Sequence, residues 1–95
     1  MIENHINPIT QLESFFVLEF RPHFLSIVCQ PDLSPPEYNV MIFSHIFKGM
    51  SIADRITYIF SLLKEKNPDI LSTNVVIVEA FTASELEDLI EYTFI

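Results

Sequence analysis

The sequence predicts an α+β domain in the order α, β, β, α, short α, β, α, a three-stranded mixed sheet with helices packed on one side. Three observations carry this reading. Apolar residues recur at helical spacing in two segments that begin with capping residues and end at prolines. Three β-branched or aromatic runs read as strands, the first two separated by a proline-rich turn. A helical segment joins the second run to the third, and the right-handed crossover rule then makes those two strands parallel.

Asn7-Pro8 opens the first helix, with Asn7 as N-cap and Pro8 at the first helical position. Ile9, Leu12, Phe16 and Phe20 follow at helical spacing, which places the helix over residues 8–20. Phe15, Val17 and Leu18 widen its apolar face; such excess is more often core, and any exposed remnant would be an interface. Pro22 ends the helix. Residues 25–30 form the first strand, Pro31 to Pro36 a turn, and residues 38–44 the second strand. Gly49, the one glycine of the chain, marks a loop that needs positive φ. Ser51 with Asp54 resembles a capping box for the second long helix, whose buried face is Ile52, Ile56, Ile59, Phe60 and Leu63. Asn67-Pro68 stops it, and residues 68–71 make one short helical turn. Val75-Val76-Ile77-Val78 reads as a central, buried strand. Thr82 and Glu85 form a full capping box for the last helix, where Leu86, Leu89 and Ile90 face inward and Glu87, Asp88 and Glu91 outward.

Composition bounds the function. The 95 residues are read as one domain, with its core over residues 8–91. The chain is 49% hydrophobic with nine Phe, which supplies a core and apolar surface for a partner. Its net charge of −8 argues against general nucleic-acid binding, because affinity for phosphates rests on Lys and Arg. Four of the five cations, Lys48, Arg55, Lys64 and Lys66, fall in one stretch, and no basic residue follows Asn67. That polarisation suits solubility and partner steering. The lone Cys29 excludes an internal disulfide and fits a reducing compartment. With no signal-peptide pattern at the start and no run long enough for a membrane span, the expected location is cytoplasmic.

The motif Phe47-x-Gly49-Met50-Ser51-x-x-x-Arg55, just after a strand, resembles the BolA-like family, whose fold is related to one class of KH domain. Val76-x-Val78-x-Ala80-Phe81-Thr82-x-x-Glu85 resembles the family's last strand and following helix, and Pro22-His23-x-Leu25 is a fainter echo. The resemblance spans about residues 8–91. It implies a non-enzymatic adaptor for a monothiol glutaredoxin-type protein in iron–sulfur or iron homeostasis, with any cluster shared only in that complex. The implied partner-binding residues are Phe47, Lys48, Gly49, Arg55 and Asn74. Where many members carry a cluster-binding histidine at the start of the last strand, this chain has Asn74, and residues 31–37 of the hairpin loop hold neither His nor Cys. The alternative is a transcriptional regulator that contacts DNA through the KH-like fold. A third reading is self-association, a homodimer through surplus apolar surface on the first helix.

The remaining candidates are few. Cys29 is either the one soft metal ligand near the hairpin loop or a small buried hydrophobe. His45 ends the second strand and is expected beside His23 or Phe24, a pair that falls short of the three or four ligands of a zinc site. His5 carries little information. Arg55 with Lys48 either contacts an acidic partner or a phosphate, or Arg55 ties the loop to its helix. A single glycine excludes the G-x-x-G clamp of KH domains and the glycine-rich phosphate loops. No Ser–His–Asp or Cys–His constellation stands out, so the chain is read as not an enzyme.

Overall fold

Asn7 opens the first element as its sequence position demands. Its Oδ1 accepts the Ile9 N–H at 2.9 Å, and helix α1 runs Pro8–Phe20. The computed structural model describes residues 7–93, and their side chains through residue 88. His5 and the side chains of Leu89, Ile90 and Glu91 therefore lie outside the described residues. At the far end of α1, Arg21 turns to φ 43° and donates its N–H to the Val17 carbonyl, after which Pro22 cannot extend the helix. Leu12, Phe15, Phe16 and Phe20 are buried, whereas Val17 and Leu18 are exposed, Leu18 by 76%. The widened face thus divides between core and surface.

Strand β1 (Phe24–Gln30) pairs antiparallel with β2 (Glu37–Phe43), and β2 pairs parallel with β3 (Val75–Phe81). The strand order is β1-β2-β3. The expected hairpin and crossover are both present. One expectation is corrected: the Val75–Val78 run is an edge strand, and β2 is central. Only alternate residues of β3 turn toward the helices, so Val76, Val78 and Ala80 are buried while Val75 and Ile77 remain exposed.

Register organises the core into three rows across the sheet. Leu25–Ile42–Ala80, Ile27–Val40–Val78 and Cys29–Tyr38–Val76 each line up from β1 to β3. All nine pack with Leu12, Phe16 and Phe20 of α1 and with helix residues further along the chain. The opposite sheet face carries Phe24, Phe43 and Phe81 in one row, with ring centroids 5.7 Å and 4.8 Å apart. That ring row buries Phe43 on the sheet's own surface.

After β2 the chain leaves the sheet one residue earlier than its apolar pattern suggests. Ser44 caps a 3-10 turn over His45–Phe47, accepting the Ile46 N–H through Oγ at 3.2 Å. His45 therefore begins this turn and does not end the strand. The fully buried Ser44 also donates Oγ–H to the Phe20 carbonyl and its backbone N–H to Phe81, joining α1, β2 and β3. Gly49 sits at φ 82°, with open space where a Cβ would lie. Backbone conformation, not crowding, is what calls for glycine there.

Helix α2 (Ile52–Lys66) starts where Ser51 Oγ accepts the Asp54 N–H at 3.1 Å. Ile59 and Leu63 are buried, and Ile56 and Phe60 pack at the core margin. Ile52 is 68% exposed, contrary to its place in the expected stripe. Helix α3 (Pro68–Thr73) buries Ile70, and helix α4 spans Ala83–Thr93. Among the described residues, no helix is long and apolar enough to cross a membrane.

Candidate functional site

Arg55 organises one end of the sheet. Its place in the first turn of α2 points the guanidinium back toward the end of β3, and the residue is only 7% exposed. Nε donates to the Met50 carbonyl at 3.0 Å, and Nη1 donates to the Ala80 carbonyl at 3.0 Å and to Glu85 Oε1 at 2.7 Å. The Gly49 loop, the last strand and the last helix are thus pinned by one side chain. The tie expected of Arg55 is present and reaches further than its own helix, to the end of β3 and the start of α4.

Glu85 closes the capping box in both directions. The Glu85 N–H donates to Thr82 Oγ1 at 3.2 Å, and the Thr82 N–H donates to Glu85 Oε1 at 2.6 Å. That backbone hydrogen bond, more than the Arg55 guanidinium, holds the carboxyl below its ordinary range against the opposing effect of burial. A depressed carboxylate stabilises the fold above its unfolded pKa, and the contribution is lost as pH falls through the folded value. Acid is therefore expected to loosen the start of α4 below about pH 4.5. Amide NMR signals of residues 82–86 should report it, and Glu85→Gln should remove the pH dependence. Identical titrations of the two proteins would refute this.

Between the Gly49 loop and the start of α4 lies a cavity of about 450 Å³, bordered by His45, Lys48, Gly49, Arg55 and residues 82–85. Lys48 is exposed and makes no side-chain hydrogen bond or ion pair among the described residues. His45 faces His23 with ring centroids 5.9 Å apart, as expected from the hairpin. Among the described residues, no group of three or more His, Cys, Asp or Glu is placed to hold a metal ion. Phe47 is fully buried and stacks on Phe20 at 5.4 Å, so it packs the core and offers no surface to a partner.

Cys29 and Asn74 sit at the other end of the sheet. Seven-residue strands put that end roughly 20 Å from the cavity. Asn74 Nδ2 donates to the Ile70 carbonyl at 3.1 Å and to Thr73 Oγ1 at 2.9 Å, which fixes the amide on α3. Cys29 is half-buried beside Tyr38, whose phenol is pushed above its ordinary value by burial and then by this thiol. The exposed apolar residues Val28, Val75 and Ile77 occupy adjacent rows of the open sheet face here, and Leu33 is exposed in the turn. The sequence-derived site residues therefore fall into two groups. Ser44 was missed, and its only signal was a lone serine between an apolar strand and His45-Ile46-Phe47.

Solved structures place this arrangement. A bol-like protein from Babesia bovis superposes with a TM-score of 0.73 at 18% identity, covering 92% of this chain and 96% of that one. BolA1 from Arabidopsis thaliana gives 0.68 at 26%, covering 84% and 96%. The fold is BolA-like. The BolA domain of SufE1 from Arabidopsis thaliana adds 0.64 at 22%, covering 79% and 91%. No family model matches the sequence, and no curated protein does either. In the motif, Phe47 packs the core, Gly49 takes positive φ, and Arg55 ties the loop to β3 and α4. The shared iron–sulfur cluster that the resemblance implies does not fit the residues present. Asn74 offers an amide where iron favours thiolate or imidazole, and the whole width of β2 lies between it and Cys29.

Proposed function

We propose that the chain is a BolA-like, non-enzymatic adaptor that binds a monothiol glutaredoxin-type partner in iron–sulfur or iron homeostasis, and that it supplies no stable cluster ligand of its own. The observation that carries this reading is a BolA-like fold over most of the chain, including a neighbour of 26% identity. The end of the sheet near Asn74 supports it, because exposed Val28, Val75 and Ile77 with Leu33 form an apolar contact surface on a domain of net charge −8. Net charge of −8 disfavours the DNA-contacting alternative.

The test is titration of a monothiol glutaredoxin into the labelled protein, followed by anaerobic cluster reconstitution. Expected are amide shifts confined to the 28–33 and 74–77 segments, with little visible absorbance in wild type. Asn74→His should increase the retained absorbance several-fold, because it restores an imidazole. Absence of binding would sink the adaptor reading. A stable bridged cluster in wild type that survives Cys29→Ala would show the ligands to lie elsewhere.

A further inference from the structure

The cavity beside Arg55 holds donors that the apolar surface around Val28, Val75 and Ile77 does not use. In a chain of net charge −8, it is bordered by two cations, Lys48 and Arg55, against one carboxylate, Glu85. That carboxylate already accepts from Arg55 and from the Thr82 N–H through the same oxygen. Three sets of donors remain. Lys48 makes no side-chain bond among the described residues. The backbone N–H groups of Ala83 and Ser84, the first two residues of the eleven-residue helix α4, have no acceptor among the described residues, as the opening of a helix requires.

The decisive donor is Arg55. Its side chain is more than nine-tenths buried, Nε and Nη1 are fully engaged, and Nη2 has no acceptor among the described residues. No buried side-chain nitrogen or oxygen of the described residues lacks a partner, so Nη2 reaches solvent, and Arg55 is one of the residues that border the cavity. Two N–H groups held rigidly by three other hydrogen bonds therefore present themselves to whatever occupies the cavity.

We propose that this cavity binds a phosphate group, carried by a small phosphate ester or as the free ion. Donors converge from three elements, the Gly49 loop, α2 and the start of α4. A tetrahedral phosphate has oxygens in that many directions, while a flat carboxylate has two. The α4 dipole adds to the attraction, and the 450 Å³ volume exceeds a bare phosphate and leaves room for an ester's organic part. The site stands independently of the glutaredoxin reading, since it lies at the opposite end of the sheet and needs no partner.

The experiment is amide NMR of the full chain alone, titrated with inorganic phosphate and separately with glycerol phosphate, at ionic strength matched with chloride. Saturable shifts are expected at Gly49, Ala83 and Ser84, with a Kd of roughly 1–10 mM. Lys48→Ala should weaken binding about tenfold, and Lys64→Ala, further along α2, should leave it unchanged. Tighter binding of the ester assigns the site to organic phosphates, and tighter binding of the ion assigns it to free phosphate; either supports the proposal. Shifts that do not saturate, or an affinity that Lys48→Ala leaves unchanged, would overturn it. Because no glutaredoxin is present, neither result bears on the adaptor reading.

Discussion

Replacing Phe47 by alanine is expected to lower the unfolding free energy by about 4 kcal/mol. The ring has no exposed surface, stacks on Phe20 at 5.4 Å and belongs to the same cluster as Leu12, Phe16, Ile59 and Leu63. Truncation removes its transfer free energy and leaves a hole that the 3-10 turn, fixed by Ser44, is poorly able to close. A domain of this size has a total stability of about 5–15 kcal/mol, so the variant should lose a large share of it. Urea denaturation followed by circular dichroism measures the shift. Phe47→Leu should cost much less, and if it retains glutaredoxin binding while stable, the ring is a packing residue only. A Phe47→Ala protein as stable as wild type, but unable to bind a partner, would restore Phe47 to a contact surface.

Arg55→Ala should cost about 3 kcal/mol, through hydrogen bonds to charged groups that each contribute about 1.5–3 kcal/mol less whatever water recovers. The loss is spread over three places: the Met50 carbonyl, the Ala80 carbonyl and Glu85, the last more than a third exposed and correspondingly weaker. Arg55→Lys is not expected to rescue, because an ammonium cannot reproduce a fork that donates along separate directions. Thermal denaturation gives the magnitude, and hydrogen exchange gives the pattern, with the Gly49 loop and the start of α4 losing protection together. In a double-mutant cycle, Glu85→Ala should cost less in the Arg55→Ala background than in wild type. Strict additivity would mean that the pair does not interact.

Much of this architecture was legible because the local signals agree with one another. Asn7-Pro8, Ser51 and the Thr82–Glu85 box each mark a helix start through a hydrogen bond that depends on residue type and spacing, and each bond is present. The crossover rule supplied the parallel pairing of β3. Strand position in the sheet was not legible, because an apolar run such as Val75–Val78 looks the same at an edge over a bare face as in the middle. For the site, the motif from Phe47 to Arg55 was visible as a pattern, but the pattern does not say which residues serve the fold and which face outward. Burial separates Phe47 and Arg55 from the exposed Lys48. The distance between Asn74 and that motif depends on strand length and crossover direction, neither of which a list of residues contains.

Strand β1 ends the sheet with seven residues, Phe-Leu-Ser-Ile-Val-Cys-Gln, paired without interruption to β2 on one side. Its outer edge carries no charge, no proline and no bulge, the devices by which edge strands usually refuse another chain. Against the approach of a second copy along this edge stands the −8 carried by the rest of the molecule, acting through solvent. Protection of that kind belongs to the buffer as much as to the protein: it weakens as salt shortens the screening length and vanishes near the isoelectric point of 4.5. The colloidal behaviour of this domain is thus set at long range, whereas its fold is set almost entirely by contact.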